Sequence, residues 1–128
     1  EAERLADEAS ERVGFPRNFH NMPAAAMPVF YQKQLMMATA VAQRPKLLML
    51  DEPASSLVEH EIDWVRDTIT ALNEGGITIL LIEHVLPLLM SVSTRMLVME
   101  QGEIIAQGDP LDVTRDPRLI EAYLGSAA

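Results

Sequence analysis

The chain lacks cysteine and has few aromatic side chains, and these two shortages exclude whole classes of protein. Without cysteine, the 128 residues form neither a disulfide framework nor a thiolate metal site, which is consistent with a reducing compartment. Phe, Trp and Tyr make up only 5% of a chain that is 48% hydrophobic. The core must therefore be built from Leu, Ile, Val, Ala and Met, which suits helices and buried strands better than a sandwich of large rings.

Basic residues are also scarce, because ten Lys and Arg stand against 19 Asp and Glu and give a formal net charge of −9. Nucleic-acid binding depends on clustered Lys and Arg, so we expect no nucleic-acid partner. The same imbalance disfavours direct attachment to an anionic membrane surface. No apolar run approaches the roughly 20 residues of a membrane-spanning helix. Any link to a membrane is therefore expected to run through a partner protein.

Apolar periodicity predicts an alternation of helices and short strands. Helical spacing indicates helices over 1–13, 30–43, 59–74, 86–92, 111–114 and 117–124. Continuous apolar runs predict two strands, 47–50 and 77–82, that are buried on both faces and lie parallel in one sheet, joined by a crossover helix. Residues 96–99 and 104–106 are predicted to form an antiparallel hairpin with Gly102 in its turn. The fold class is therefore α/β, with a helical N-terminal piece.

Two carboxylates, Asp51 and Glu52, directly follow the first apolar strand. Charges at the rim of a hydrophobic sheet cost desolvation energy unless something there uses them. Open α/β sheets bind ligands at this end of their strands. There, an Asp can hold Mg²⁺, directly or through water, and a Glu can orient or deprotonate an attacking water. The structural alternative is that Asp51 caps the following turn and Glu52 is only solvated.

The second parallel strand also ends in polar residues, Glu83 and His84. A single His at a strand end is more often an ordinary hydrogen-bonded residue. Beside a carboxylate pair on the neighbouring strand, it becomes a candidate contact for a γ-phosphate. We therefore predict that Asp51, Glu52 and His84 converge at one edge of the sheet.

Three segments carry a resemblance to a known family. They are KLLMLDEPASSL at 46–57, ITILLIEH at 77–84 and VMEQGEIIAQGDP at 98–110. In order and spacing they closely resemble the nucleotide-binding domains of ABC transporters, and the resemblance runs from about Met27 to the C-terminus. The tail RDPRLIEAYLG at 115–125 resembles the end of subunits that serve branched-chain amino acid importers.

The resemblance implies a partial P-loop NTPase (ABC ATPase) fold. Residues 1–45 would be part of the helical signature subdomain, and residues 46–128 the C-terminal part of the RecA-like ATPase core. It implies an ATP-hydrolysing importer subunit with ATP and Mg²⁺ as cofactors, and branched-chain amino acids as the transported solutes. The implied partners are a second ATP-binding subunit and membrane permease subunits. The implied location is the cytoplasm, at the inner face of the cell membrane through the permease.

The resemblance also assigns roles to individual residues. Asp51 matches the Walker B aspartate, which holds Mg²⁺ through water. Glu52 matches the general base that polarises the attacking water, and His84 matches the switch histidine that contacts the γ-phosphate. Ser55 and Ser56 lie in the D-loop, which communicates between two subunits that sandwich ATP.

The phosphate-binding loop of the family does not occur in this sequence. The pattern G-x-x-x-x-G-K-[ST], whose backbone amides and Lys hold the phosphates, is absent from all 128 residues. In the family this loop lies far N-terminal to the signature motif. Because the chain also begins at Glu1 rather than Met, we expect it to be a piece of a longer protein.

The family signature, Leu-Ser-Gly-Gly-Gln, is altered here to Met-Pro-Val-Phe-Tyr at 27–31. Pro28 removes a hydroxyl and a backbone donor. Val29 and Phe30 put side chains where glycines let the backbone approach the partner's phosphate. Val58 stands where the D-loop usually has Asp. Either the subunit contributes a degenerate half-site, or the register over 27–31 is different; Gln32 keeps the family's register and favours the first.

Three interpretations stay open at this point. The first is the importer ATPase subunit. The second is a non-catalytic dimerisation or regulatory module derived from an ABC ATPase, which the altered signature and Val58 would suit. The third is an ABC-type ATPase that acts on ribosomes or DNA, against which the acidic composition and the importer-like tail argue.

Because the phosphate-binding loop is absent from this sequence, we predict that the isolated 128-residue chain hydrolyses no ATP. Phosphate release from ATP should match that of the Glu52→Gln variant, which lacks the predicted general base. A turnover clearly above this control would contradict the prediction.

Overall fold

The computed structural model describes residues 1–119, and these divide into two compact units, Glu1–His84 and the part from Val85 onward. Among the described residues, no helix is long and apolar enough to cross a membrane. The predicted helix over 117–124 and the importer-like tail fall largely on residues 120–128, outside the described part.

The first unit begins with two helices that pack together, α1 (Ala2–Val13) and α2 (Val29–Ala42). Gly14 ends α1 in the left-handed conformation with φ 68°, which glycine adopts without the steric cost of a Cβ. Trp64 of α3 (Glu59–Glu74) donates its indole N–H to the Val13 carbonyl at 2.8 Å. This bond joins the N-terminal helices to the crossover helix.

The parallel sheet of this unit consists of β1 (Leu47–Asp51) and β2 (Thr78–Ile82), connected through α3. The register pairs Leu47 with Thr78 and Asp51 with Ile82, so both strands end at the same edge. The predicted parallel pair with its crossover helix is thus confirmed, and with it the α/β fold class. Ile77 lies just outside β2 and is buried.

A hydrophobic core joins the helices of this unit to its sheet. Its buried members come from α1, α2, one face of β1, the C-terminal end of α3 and the residue before β2, and they include Ala9, Val13, Met37, Val41, Leu48, Leu72 and Ile77. This core therefore spans both sides of residue 45. The division into parts 1–45 and 46–128, which follows the family resemblance, stays a prediction.

The prediction that both strands are buried on both faces is wrong. One face of the sheet is covered by the core around Leu48, whereas the other carries apolar side chains that remain exposed. This second surface, called the open face below, consists of Leu47, Met49, Leu80 and Ile82, which are 52–69% exposed. A continuous apolar run fits a strand with two covered faces, but no described layer of this chain covers the second face.

The second unit contains α4 (Leu86–Val92), the antiparallel strands β3 (Met96–Glu100) and β4 (Glu103–Gly108), and α5 (Pro110–Val113). The hairpin is confirmed, and β4 is longer than the predicted 104–106. Gln101 and Gly102 both have positive φ in its turn, and a register shift follows Val98. A small core of Met96, Ala106, Val113 and Leu119 holds the unit together.

We predict that the open face makes the isolated chain self-associate, because neighbouring exposed apolar side chains gain free energy when they leave water. Met49→Lys combined with Leu80→Lys should shift the chain toward the monomer in sedimentation velocity at high protein concentration. Met36→Lys is the matched control, since Met36 on α2 is 71% exposed and lies outside the open face. Equal association of all three proteins would contradict a role for the open face.

Candidate active site

The candidate active site begins where the two parallel strands end. The Glu52 amide donates to the Ile82 carbonyl at 2.8 Å, which extends the strand pairing by one residue beyond β1. Glu52 then turns the chain with a φ of 47°, in the left-handed region that costs energy for any residue with a Cβ. The chain leaves the sheet abruptly at this point, and the Glu52 side chain is left at the sheet edge.

His84 reaches the same edge from the neighbouring strand. Its Nδ1 lies 3.5 Å from Glu52 Oε1, and the two side chains are 62% and 53% exposed. The structure therefore brings Glu52 and His84 together, as the shared strand ends predicted. A polar group bound from solvent between them could touch both a carboxylate and an imidazole. Their catalytic roles stay predictions.

Asp51 is the last residue of β1 and is exposed, opposite Ile82 in the strand register. Within the described residues, no group of three or more His, Cys, Asp or Glu side chains could hold a metal ion. Mg²⁺ in nucleotide sites is commonly bound through one or two carboxylates, with phosphates and water supplying the remaining oxygens. A single solvent-facing Asp51 fits that mode of binding, in which the nucleotide brings most of the ligands.

The turn after Glu52 is held by a residue that sequence analysis did not select. Lys33 of α2 donates to the Ser55 hydroxyl oxygen at 3.0 Å and to the Glu52 carbonyl at 3.3 Å. The predicted D-loop residues Ser55 and Ser56 both lie in this turn, and Ser56 has a φ of 62°. One feature of the sequence indicates that Lys33 has a specific role, because Lys33 is the one charged residue in the sequence of α2.

Pro28, Val29 and Phe30 form the start of α2, with Pro28 at the N-cap position and Val29 half-exposed. The Phe30 ring meets Trp64 edge-on, with centroids 5.3 Å apart at an interplanar angle of 87°. Tyr31 stacks on Phe19 at 4.2 Å. Two of the altered signature positions, Phe30 and Tyr31, thus pack against the protein's own aromatic rings.

These signature positions are not joined to the strand-end site directly. Within the described residues, no hydrogen bond or ion pair connects Pro28, Val29 or Phe30 with Glu52 or His84. The link between α2 and the strand-end turn runs through Lys33, one turn further along the helix.

The chain is similar in sequence to known ATP-binding proteins. No protein-family model matches the chain. It is 40% identical over 110 residues to the high-affinity branched-chain amino acid transport ATP-binding protein BraF of Pseudomonas aeruginosa, a match that covers 85% of this chain and 43% of BraF. It is 38% identical over 118 residues to the corresponding protein LivG of Escherichia coli, covering 91% of this chain and 46% of LivG.

A solved structure shares the fold as well. The crystal structure of the ADP conformation of MJ1267, an ATP-binding cassette of an ABC transporter, superimposes with a TM-score of 0.86 at 25% identity. That alignment covers 98% of this chain and 50% of MJ1267. The chain belongs to the ABC ATPase family.

The chain spans about half the length of the ABC ATPases it matches, and the matched half is their C-terminal part. The predicted partial ABC ATPase fold is therefore confirmed. The assignment of Asp51, Glu52 and His84 to Walker B and switch positions agrees with this family but stays a prediction for each residue.

Val58, at the position where ABC ATPases usually carry the D-loop Asp, is the N-cap residue of α3. Its side chain offers no acceptor. The Val58 amide donates to Glu61 Oε2 at 3.0 Å, and the Glu61 amide donates to the Val58 backbone carbonyl at 2.9 Å. By contrast, Asp109 caps α5 by accepting from the Leu111 amide at 2.9 Å. An Asp at position 58 would thus have a structural use at this helix end.

We predict that Val58→Asp raises the free energy of unfolding by about 1 kcal/mol, because the new carboxylate can accept from a backbone amide in the first turn of α3 and lies at the positive end of the helix dipole. Urea denaturation should show a higher free energy of unfolding for Val58→Asp and also for Val58→Ser. The Ser variant provides a side-chain acceptor without adding a charge. Val58→Ala is the control and should show no increase. Loss of stability in both polar variants would contradict this account of the helix end.

Proposed function

We propose that this chain supplies the water-activating part of the ATP site in the ATP-binding subunit of an ABC importer. The observation that carries the proposal is the 3.5 Å approach of His84 Nδ1 to Glu52 Oε1 at the carboxyl ends of two paired strands. ATP hydrolysis depends mainly on positioning the attacking water and on neutralising phosphate charge. A carboxylate beside an imidazole can do both at one place.

In this proposal each residue has one task. Glu52 accepts a proton from the attacking water, and His84 hydrogen-bonds to an oxygen of the γ-phosphate. Asp51 would hold Mg²⁺ through a water molecule, and a bound ion would supply positive charge that neutralises the phosphates. The chain offers no phosphate-binding loop, so the phosphates would be held mainly by another segment.

The proposed solutes are branched-chain amino acids, because the two curated relatives described above carry that activity in their names. The proposed partners are a second ATP-binding subunit and the membrane permease subunits. Through the permease, the protein would sit on the cytoplasmic face of the membrane.

A second function is favoured by one specific observation. Phe30 occupies a position where ABC ATPases have a small residue, and its ring packs edge-on against Trp64. Together with Pro28 and Val58, this would suit a subunit that pairs with a partner but contributes a degenerate signature to it. In that case the chain would act as a non-catalytic dimerisation or regulatory module.

A chimera tests both functions. The chain is joined to the amino-terminal part of BraF that lies outside the matched segment, where the family resemblance places the phosphate-binding loop. We predict that the chimera restores uptake of leucine, isoleucine and valine to Pseudomonas aeruginosa cells without BraF, and that the purified chimera hydrolyses ATP. Glu52→Gln should lower the turnover by about 100-fold or more, the contribution of a general base.

Glu74→Gln is the matched control, because Glu74 is exposed at the end of α3 and, among residues 1–119, forms no hydrogen bond or ion pair with the strand-end turn. An active chimera whose turnover survives Glu52→Gln would contradict the catalytic proposal. Turnover that appears only after Pro28→Ser, Val29→Gly and Phe30→Gly are combined would favour the non-catalytic module instead.

A further inference from the structure

Glu83 is the most deeply buried ionisable side chain at the candidate active site. Its side chain is 0% exposed, although it lies between two turns whose own side chains, Glu52 and His84, face solvent. Glu83 Oε1 accepts from the Ala54 amide at 2.7 Å, and Oε2 accepts from the His84 amide at 3.0 Å. The same Oε2 lies 3.7 Å from His84 Nδ1.

A buried carboxylate is costly unless hydrogen bonds compensate for the lost water. Two backbone amides supply such bonds here, and hydrogen bonds to a charged acceptor are stronger than bonds between neutral groups. Glu83 therefore has a defined position, and it fixes the two amides that it accepts from.

These two amides belong to the two turns of the site. Ala54 is two residues beyond Glu52, and His84 carries the imidazole itself. The last strand-pairing bond, from the Glu52 amide to the Ile82 carbonyl, lies before both of them. The regular strand pairing ends at that bond, and beyond it the Glu83 carboxylate accepts from one backbone amide in each of the two turns.

We infer that Glu83 is a positioning residue that sets the separation between the Glu52 carboxylate and the His84 imidazole. The catalytic meaning of this role rests on the proposed function, whereas the positioning itself does not. Glu83 touches neither water nor nucleotide in this account, because its side chain has no exposed surface. It acts through the backbone of the two turns.

The chemistry of glutamine makes the inference testable. Gln has one acceptor oxygen, and its NH₂ group would face a second N–H donor. Glu83→Gln can therefore keep only one of the two bonds and leaves the other amide unpaired. Asp keeps the charge but is one methylene shorter, so it cannot reach both amides from the same backbone position.

The first experiment uses NMR spectroscopy of the 128-residue chain, for which no enzymatic activity is needed. In Glu83→Gln we expect upfield shifts of the Ala54 or His84 amide proton and exchange with solvent that is about tenfold faster or more. The ring protons of His84 should shift at fixed pH, while those of His20 and His60 stay in place as internal references.

Glu61→Gln is the matched control. Glu61 also accepts from a backbone amide, that of Val58 at 3.0 Å, but this bond lies at the start of α3 and does not involve His84. It should leave the Ala54 amide and the His84 ring unchanged. Unmoved Ala54 and His84 signals in Glu83→Gln would overturn the inference. If Glu83→Gln does not fold, Glu83→Asp carries the same measurement and the same criterion.

The second experiment separates positioning from mere stability. In the BraF chimera, Glu83→Gln should lower kcat about tenfold or more while KM for ATP stays within about twofold, since a displaced base weakens the chemical step rather than ground-state binding. Unchanged kcat in an active, folded chimera would overturn the inference. If the unsubstituted chimera hydrolyses no ATP, the proposed function fails, and the NMR result alone decides on Glu83.

Discussion

The parallel pairing of β1 with β2 is the constraint on which the rest of the first unit depends. It aligns Asp51 with Ile82 and so brings two consecutive carboxylates and a histidine to one edge of a sheet. The crossover helix α3 makes this pairing possible, because parallel strands need a long connection that returns the chain to its starting side. Hydrogen bonding between the strands then stops at Glu52, where the backbone turns and the chemistry begins.

Polar contacts from two further residues, Glu83 and Lys33, stabilise the turns that follow β1 and β2. The buried Glu83 carboxylate accepts hydrogen bonds from the Ala54 and His84 amides, and Lys33 of α2 donates to the Ser55 hydroxyl oxygen in the turn after Glu52. Such support is needed because Glu52 and Ser56 both have positive φ, a conformation that persists only where neighbouring contacts stabilise it. The solvent-facing side chains of Glu52 and His84 are thus supported by the buried Glu83 carboxylate and its two hydrogen bonds.

The start of α2 and the open face mark where this chain differs from a self-sufficient nucleotide site. Aromatic rings occupy two of the five signature positions, Phe30 and Tyr31, and pack internally, which supports the helix start without small residues. The open face leaves four apolar side chains of the sheet in contact with solvent. The first feature follows from packing within this chain, whereas the open face is a surface that no described part of the chain covers.

By itself, the sequence determined the helices, the strands and their parallel order, because apolar periodicity and glycine positions act locally. It also indicated Asp51, Glu52 and His84, because polar residues directly after apolar strands are conspicuous. The prediction that the second face of the sheet is buried was wrong. An apolar run shows that a strand can be buried on both faces, but it does not show whether another layer covers each face. Only the tertiary structure decided that Lys33 and Glu83 support the site, because hydrogen bonds between residues 22 and 29 positions apart depend on how helix and strands meet in space.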